Sequence, residues 1–597
     1  MAALAALLLT QAAPARAWTF DWLGRVEADA EALTSTDPKD RLAAIAELAN
    51  YDVTYTAKFL IPVLDDDDPV VRLEAGRVLG RGGARAAARP IIEWLGDITP
   101  ATRAAAAEIL GDLGGPEATA ALVRTLSDSD AAVRLKAVTA LGKIGARGDG
   151  SVIVPLISRL EDDKADVKRQ TIEQLEALHD RRAVIPLVAR FSDGSTEVRK
   201  AAVRAVGALG DRTAVPALLR LLGDPSEDVR TVAVAALGTL GASDAVDTLI
   251  DLLGGGTDGM RAKVAYALGQ IAARPDAGDD GTRAVTALVN ALAQPASRQQ
   301  AREALAVAGA AAVPTLIASL EGRVDGDPTM AVELLRDAAD PRATPALLAE
   351  LDRGRVSQSL VLEALGATGD PRALIPVLGL AGASDATVRL GAMTALRPLL
   401  GRDPRAADVL TERLGDSDPE VRVLAAEYLG LLHTTRAVER LASLTGSGNP
   451  PRLRRAAIDA LGEIGDARAA SALVEILRSG PADLHRAAAD ALSYAAGPDS
   501  ADALFALVSA DRSPSRPHLV RALGAVLRGR AEPKSRALFA RLADESSTAV
   551  AQAAIGALAA SGDAAAAAAL LPLAKDGAPD RRRTAVWALG ELHATTA

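Results

Sequence analysis

A motif reading Val-Arg-x-x-Ala-x-x-Ala-Leu-Gly recurs about every 31 residues along this chain, usually just after an Asp-rich turn. Val133-Arg134 leads to Leu141-Gly142, Val229-Arg230 to Leu237-Gly238, and Val421-Arg422 to Leu429-Gly430. Its basic residue falls at Arg41, Arg72, Arg103, Arg134, Lys168, Arg199, Arg230 and Arg261, in steps of 31 with one of 34. A period of this length marks a solenoid, in which each unit buries its apolar face only against its neighbours. Repetition therefore replaces the several globular domains that 597 residues would otherwise suggest.

Composition narrows the function classes. The chain is 49% hydrophobic but 2% aromatic, so small side chains let helices approach closely. Its net charge of −10 argues against a nucleic-acid surface, which is normally basic. Cysteine is absent, which excludes disulfides, thiolate catalysis and Cys-ligated metal sites. No run reaches the roughly 20 apolar residues of a membrane-spanning helix. Residues 2–13 are apolar, and Pro14-Ala15-Arg16-Ala17 offers a small-x-small cleavage site before Trp18. The expectation is a signal peptide over 1–17 and an exported chain, although no Lys or Arg precedes the apolar run. The alternative is an Ala-rich first helix and a cytoplasmic chain.

Residues 211–241 display the grammar of one repeat. Val215, Leu218, Leu219 and Leu222 predict one face of a first helix, with Pro216 near its start. Gly223-Asp224-Pro225 ends it, and Asp228 is the expected N-cap of a second helix. Val229, Val232, Ala233, Ala236 and Leu237 form the second apolar stripe, closed by Gly241 as C-cap. The motif's own glycine is read the same way, as a helix terminator.

With Asp-Pro-Arg-Ala at 370–373 and the recurring Val-Arg-x-x-Ala-x-x-Ala-Leu-Gly, the units resemble HEAT repeats of the short bacterial subtype found in phycobilin lyase subunits. The resemblance covers about 20–595 and implies an all-α, right-handed α-solenoid of about 18 helical hairpins, with the second helices lining its concave face. The expected divisions are aromatic-rich capping repeats over 18–95, regular repeats over 96–253, irregular repeats with a possible hinge over 254–358, and repeats with a C-terminal cap over 359–597. The irregular part holds Gly254-Gly255-Gly256, a loop at 276–281, and a unit at 325–339 without the Val-Arg pair.

Two residue sets stand out. Seven of the 14 aromatic residues lie within the first 94, and Trp18, Trp22, Tyr51, Tyr55 and Trp94 are the candidate partner-binding residues. Sealing an open end of the stack is the competing reading for them. Arg72, Arg134, Arg199, Arg230, Arg389 and Arg422 are expected to form a structural ladder with the acidic turns, rather than a ligand-binding row. The five histidines have no paired metal-ligand spacing, and the iron hydroxylases built on such repeats carry His-Glu motifs that this chain lacks. Asp65–Asp68 and the 276–281 loop lack the spacing of a calcium loop. No catalytic, cofactor or metal residue is predicted. The expected function is non-catalytic protein binding, with a phycobilin lyase-type subunit and a nucleic-acid-binding array as alternatives.

Overall fold

The computed structural model describes residues 22–255, 257–401, 403–495, 500–510, 516–530 and 532–592. Among them are 36 α-helices and no strand. The helices pair into 18 hairpins, and the chain divides at Ala312–Val313 into two compact units of nine hairpins each. In most hairpins of each unit a short first helix, often tightened at its end into a 3-10 turn, is followed by a longer second helix, the order being reversed for Gly278–Leu292 and Arg298–Ala308. Second helices of successive hairpins pack side by side, and first helices form the other layer.

Residues 211–241 show how the sequence produces this. Arg212–Ala214 is a 3-10 turn, Val215–Arg220 the first helix, and Leu221–Gly223 a second 3-10 turn. That tightening shifts the buried face from the expected one. Val215, Leu218 and Leu221 are buried, whereas Leu219 and Leu222 are only half-buried. The second helix, Glu227–Leu240, buries Val229, Ala233, Val234, Ala236, Leu237 and Leu240, so its contact surface is wider than one stripe. The helix is flanked by second helices before and after it and also carries its own first helix. Gly241 closes the helix in the left-handed conformation, φ 62°. Asp228 is not the N-cap; Ser226 holds that position and Asp228 lies in the first helical turn. Aspartates that do cap include Asp68, Asp130 and Asp418, through the backbone N–H groups of Val70, Ala132 and Glu420.

The motif glycine does not terminate helices, contrary to the sequence expectation. It lies inside the second helix, where it meets the motif alanine of the next repeat. A Cβ added to Gly238 would stand 2.7 Å from the Cα of Ala267, and one on Gly462 would stand 2.8 Å from that of Ala491. Gly207 and Ala236, Gly366 and Ala395, Gly430 and Ala460, and Gly524 and Ala557 repeat the relationship. Glycine is accepted there despite its poor helix propensity because the neighbouring helix occupies the space of a side chain.

The irregular segment is more helical than expected. Gly278–Leu292 is one first helix, so most of the 276–281 loop is its opening turn. The unit without Val-Arg still forms a second helix, Pro328–Ala338, capped by the Asp327 side chain on Thr329 and Met330.

Candidate partner-binding surface

The repeated arginines tie turns together by a relay that starts in the local sequence. Arg103 Nη1 donates to the carbonyls of Asp97 and Ile98 in its own turn, at 3.0 and 3.2 Å. Its other nitrogens grip Asp128 of the next turn at 2.7 and 2.8 Å. Asp128 also accepts the N–H of Asp130 at 2.8 Å, and its carbonyl accepts from Arg134 at 3.0 Å. The Arg103 guanidinium, helped by the Asp130 N–H, holds the Asp128 carboxyl below its usual range against the cost of burial.

Of the six arginines expected in the ladder, Arg134, Arg199 and Arg389 reach the following turn, through Asp162, Asp224 and Asp416. Arg72 and Arg230 bond carbonyls of their own turn, Asp66 and Asp67 for the first, Asp224 and Pro225 for the second. Arg230 finds glycine at 254 and 255 where a preceding repeat places aspartate. The turn after Arg422, Thr445-Gly-Ser-Gly-Asn449, has no carboxylate, and the Arg422 Nε is buried without a hydrogen-bond partner. Rungs not singled out from sequence are Arg41 to Asp66, Arg103 to Asp128, Lys168 to Asp193, and Arg516 to Glu545. An acid 25–29 residues after the basic residue is the signal that would have found them.

The aromatic candidates separate by environment. Trp18 and the signal segment lie outside the described residues. Trp22 opens the helix Trp22–Glu31. Tyr51 is half-buried and donates its hydroxyl to Asp29 at 2.9 Å. Trp94 is also half-buried, its ring lying over Gly76, where an added Cβ would sit 3.1 Å from it. Tyr55 is 43% exposed. Among the described side chains, Tyr51 and Trp94 hold neighbouring helices together, while Tyr55 stays partly exposed.

The acidic stretches serve local structure: Asp66 accepts from Arg41 and Asp68 caps a helix, while Asp276 pairs with Arg212 and Arg274. His179 and His433 end helices at φ 50° and 49°, and His485 replaces arginine in its repeat, bonding the Gly480 carbonyl at 2.9 Å. His593 lies outside the described residues. No group of three or more metal-ligating side chains occurs among the described residues.

What remains exposed is a row on the second helices, at the residue two before the motif leucine and two after it. In the first unit that row includes Arg77 and Arg81, Glu108, Lys143, Arg204 and Tyr266, and in the second Glu363, Glu427, Asp459 and Glu463, Asp490 and Tyr494, and Arg521. Sequence reasoning named the second helices but not these residues. Glu463 lies over Gly430; burial, then the charges of Asp459 and Glu427, push its carboxyl above the usual range.

Stacked helical hairpins, alternating layers and a varied row over a constant interior define an all-α solenoid. The chain belongs to the HEAT repeats family, which matches residues 27–99, 88–176, 153–237, 215–308, 407–493 and 501–590. No curated protein matches the sequence significantly. Among solved structures, importin beta in an ammonium sulfate condition is 15% identical, with 100% of this chain and 91% of that one covered and a TM-score of 0.43. Yeast importin-beta (Kap95p) is 14% identical, with 96% and 84% covered and a TM-score of 0.38. Kap121p is 13% identical, with 96% and 80% covered and a TM-score of 0.39. No single helix among the described residues is long and apolar enough to cross a membrane.

Proposed function

We propose that this chain is a non-catalytic scaffold that binds a protein partner through the exposed row of its second helices. One observation carries the reading: the buried motif positions stay small and apolar, whereas the exposed positions of the same helices change charge and size from repeat to repeat. A surface varied over a fixed frame encodes recognition rather than stability. Cross-linking of the captured partner with mass spectrometry tests it, and linked peptides are expected from the second helices. Linkage confined to first helices, or no specific partner at all, overturns it.

The chain is further proposed to be exported after cleavage following Ala17. N-terminal sequencing of the native protein is expected to begin at Trp18, and an intact Met1 overturns export. The alternative of a phycobilin lyase-type subunit rests on the short-repeat motif with Asp370-Pro-Arg-Ala. An absorbance scan showing a bound chromophore would favour it over the scaffold.

A further inference from the structure

Between the second helices Pro451–Ile464 and Ala482–Ala495 the exposed row opens into a cleft of about 760 Å³. Gly462, Ala487 and Ala491 line it with nothing larger than a methyl group, which leaves a trough along the helix pair. Tyr494 stands at its edge, 75% exposed, the most exposed aromatic side chain among the described residues. Asp459 and Glu463 line the cleft from Pro451–Ile464, and Asp490 lines it from Ala482–Ala495, the helix of Tyr494. Arg455 neutralises Asp459 through its Nε at 2.8 Å, while Arg486 comes only to 3.8 Å from Asp490. No lysine or arginine among the described residues pairs with the Glu463 carboxylate, and His433 meets this residue through its backbone carbonyl, at 2.6 Å. An adjoining trough of about 430 Å³, between this hairpin and the following ones, shares Asp490 with the cleft and adds Arg521 and Arg528, so Asp459 and Glu463 are the carboxylates that belong to the first alone.

We propose that this cleft docks an extended, arginine- or lysine-bearing segment of a protein partner. Its cationic group lies between Glu463 and Asp490 and against the Tyr494 ring, and its alkyl stem lies over the small residues. The inference rests on the scaffold reading and names the partner's chemistry. Three features favour a cation over a neutral or anionic segment. Glu463 and Asp490 accept no hydrogen bond from a lysine or arginine among the described residues, an aromatic face attracts cations within about 6 Å, and charge-assisted hydrogen bonds are the stronger kind. A long cationic side chain also brings the apolar stem that a methyl-lined trough accommodates.

Fluorescence anisotropy with the full chain and a labelled peptide of six Ala-Arg pairs tests it. Tyr494→Ala and Glu463→Gln are each expected to weaken binding at least about fivefold, and the double variant at least about tenfold. Melting is expected to stay unchanged, because both side chains line the open cleft rather than the interior. Glu108→Gln with Asp112→Asn alters the same register positions on Pro100–Leu113, where Lys136 and Lys143 already pair with them. That control is expected to leave binding within about twofold. Equal weakening by cleft and control variants would mean diffuse attraction to an acidic chain and overturns the proposal, as does failure to bind the peptide. A captured partner cross-linked to second helices away from this cleft overturns the cleft while leaving the scaffold. Peptide binding at the cleft with no protein partner captured overturns the scaffold.

Discussion

Gly111 and Ala140 face each other across a repeat boundary so closely that a Cβ on Gly111 would lie 2.6 Å from the Cβ of Ala140 and 2.7 Å from its Cα. Two helix backbones are in near contact there, and neither can retreat without opening the interface on its far side. Gly111→Ala is expected to destabilise the chain by about 1–3 kcal/mol through overpacking, although alanine is the better helix former by about 1 kcal/mol. Gly556 lies inside Thr548–Ala560, and a Cβ added to it would meet nothing within 4 Å, so Gly556→Ala is expected to raise the melting temperature. Thermal unfolding of the pair checks it: equal shifts of one sign would contradict close packing as the reason for the motif glycine.

Arg134 and Arg230 occupy equivalent positions but differ in reach. Arg134 is bonded to Asp162 and Asp163 of the next turn and its side chain is 9% exposed, whereas Arg230 bonds only carbonyls of its own turn. Arg134→Ala leaves the nearly buried Asp162 uncompensated and is expected to cost about 3 kcal/mol or more. Arg230→Ala is expected to cost about 1 kcal/mol, the value of a typical hydrogen bond. Chemical denaturation curves showing the reverse order would remove the relay from the account of stability.

Acid sensitivity follows from the Asp-x-Arg turns that open several first helices. Arg372, Arg405 and Arg468 hold the carboxyls of Asp370, Asp403 and Asp466 at about 2. A carboxyl depressed in the folded state contributes stability that is present above its unfolded value, about 3.9, and is lost as pH falls through the folded one. Melting temperature is therefore expected to drop between about pH 4 and pH 2. Asp370→Asn should make that part of the drop shallower, as measured by calorimetry across the interval.

Ala339 ends Pro328–Ala338 with φ 51°, a left-handed conformation that Gly241 adopts freely at the matching place. Ala339→Gly is expected to stabilise the chain by up to about 1 kcal/mol by relieving that strain. Unchanged or lowered melting would show that the methyl group contributes packing worth as much as the strain.

The period, the two-helix grammar and the left-handed Gly241 are legible in sequence because each depends on neighbours a few residues away. The motif glycine is not, for the opposite reason. Its role depends on Ala140 or Ala267, which lie about one repeat further on, and spacing alone does not say which residues of two repeats touch. The wider burial of Glu227–Leu240 is hidden likewise, since a helix flanked on both sides shows no single stripe. The ladder is legible as a row of arginines but not as a set of rungs. A rung needs a carboxylate at the receiving turn, which the turn after Arg422 lacks. A carboxylate alone does not suffice, since Asp97 stands 25 residues after Arg72 and Arg72 bonds carbonyls of its own turn.

By itself the sequence determined that this chain is a stack of helical hairpins, because a short repeat of small apolar residues cannot bury its face in any other way. Tertiary structure decided which arginines bridge, why the glycine is tolerated, and that Tyr51 and Trp94 pack inward while Tyr494 stands exposed. Those outcomes depend on how one repeat is set against the next, a distance and rotation that no single repeat encodes.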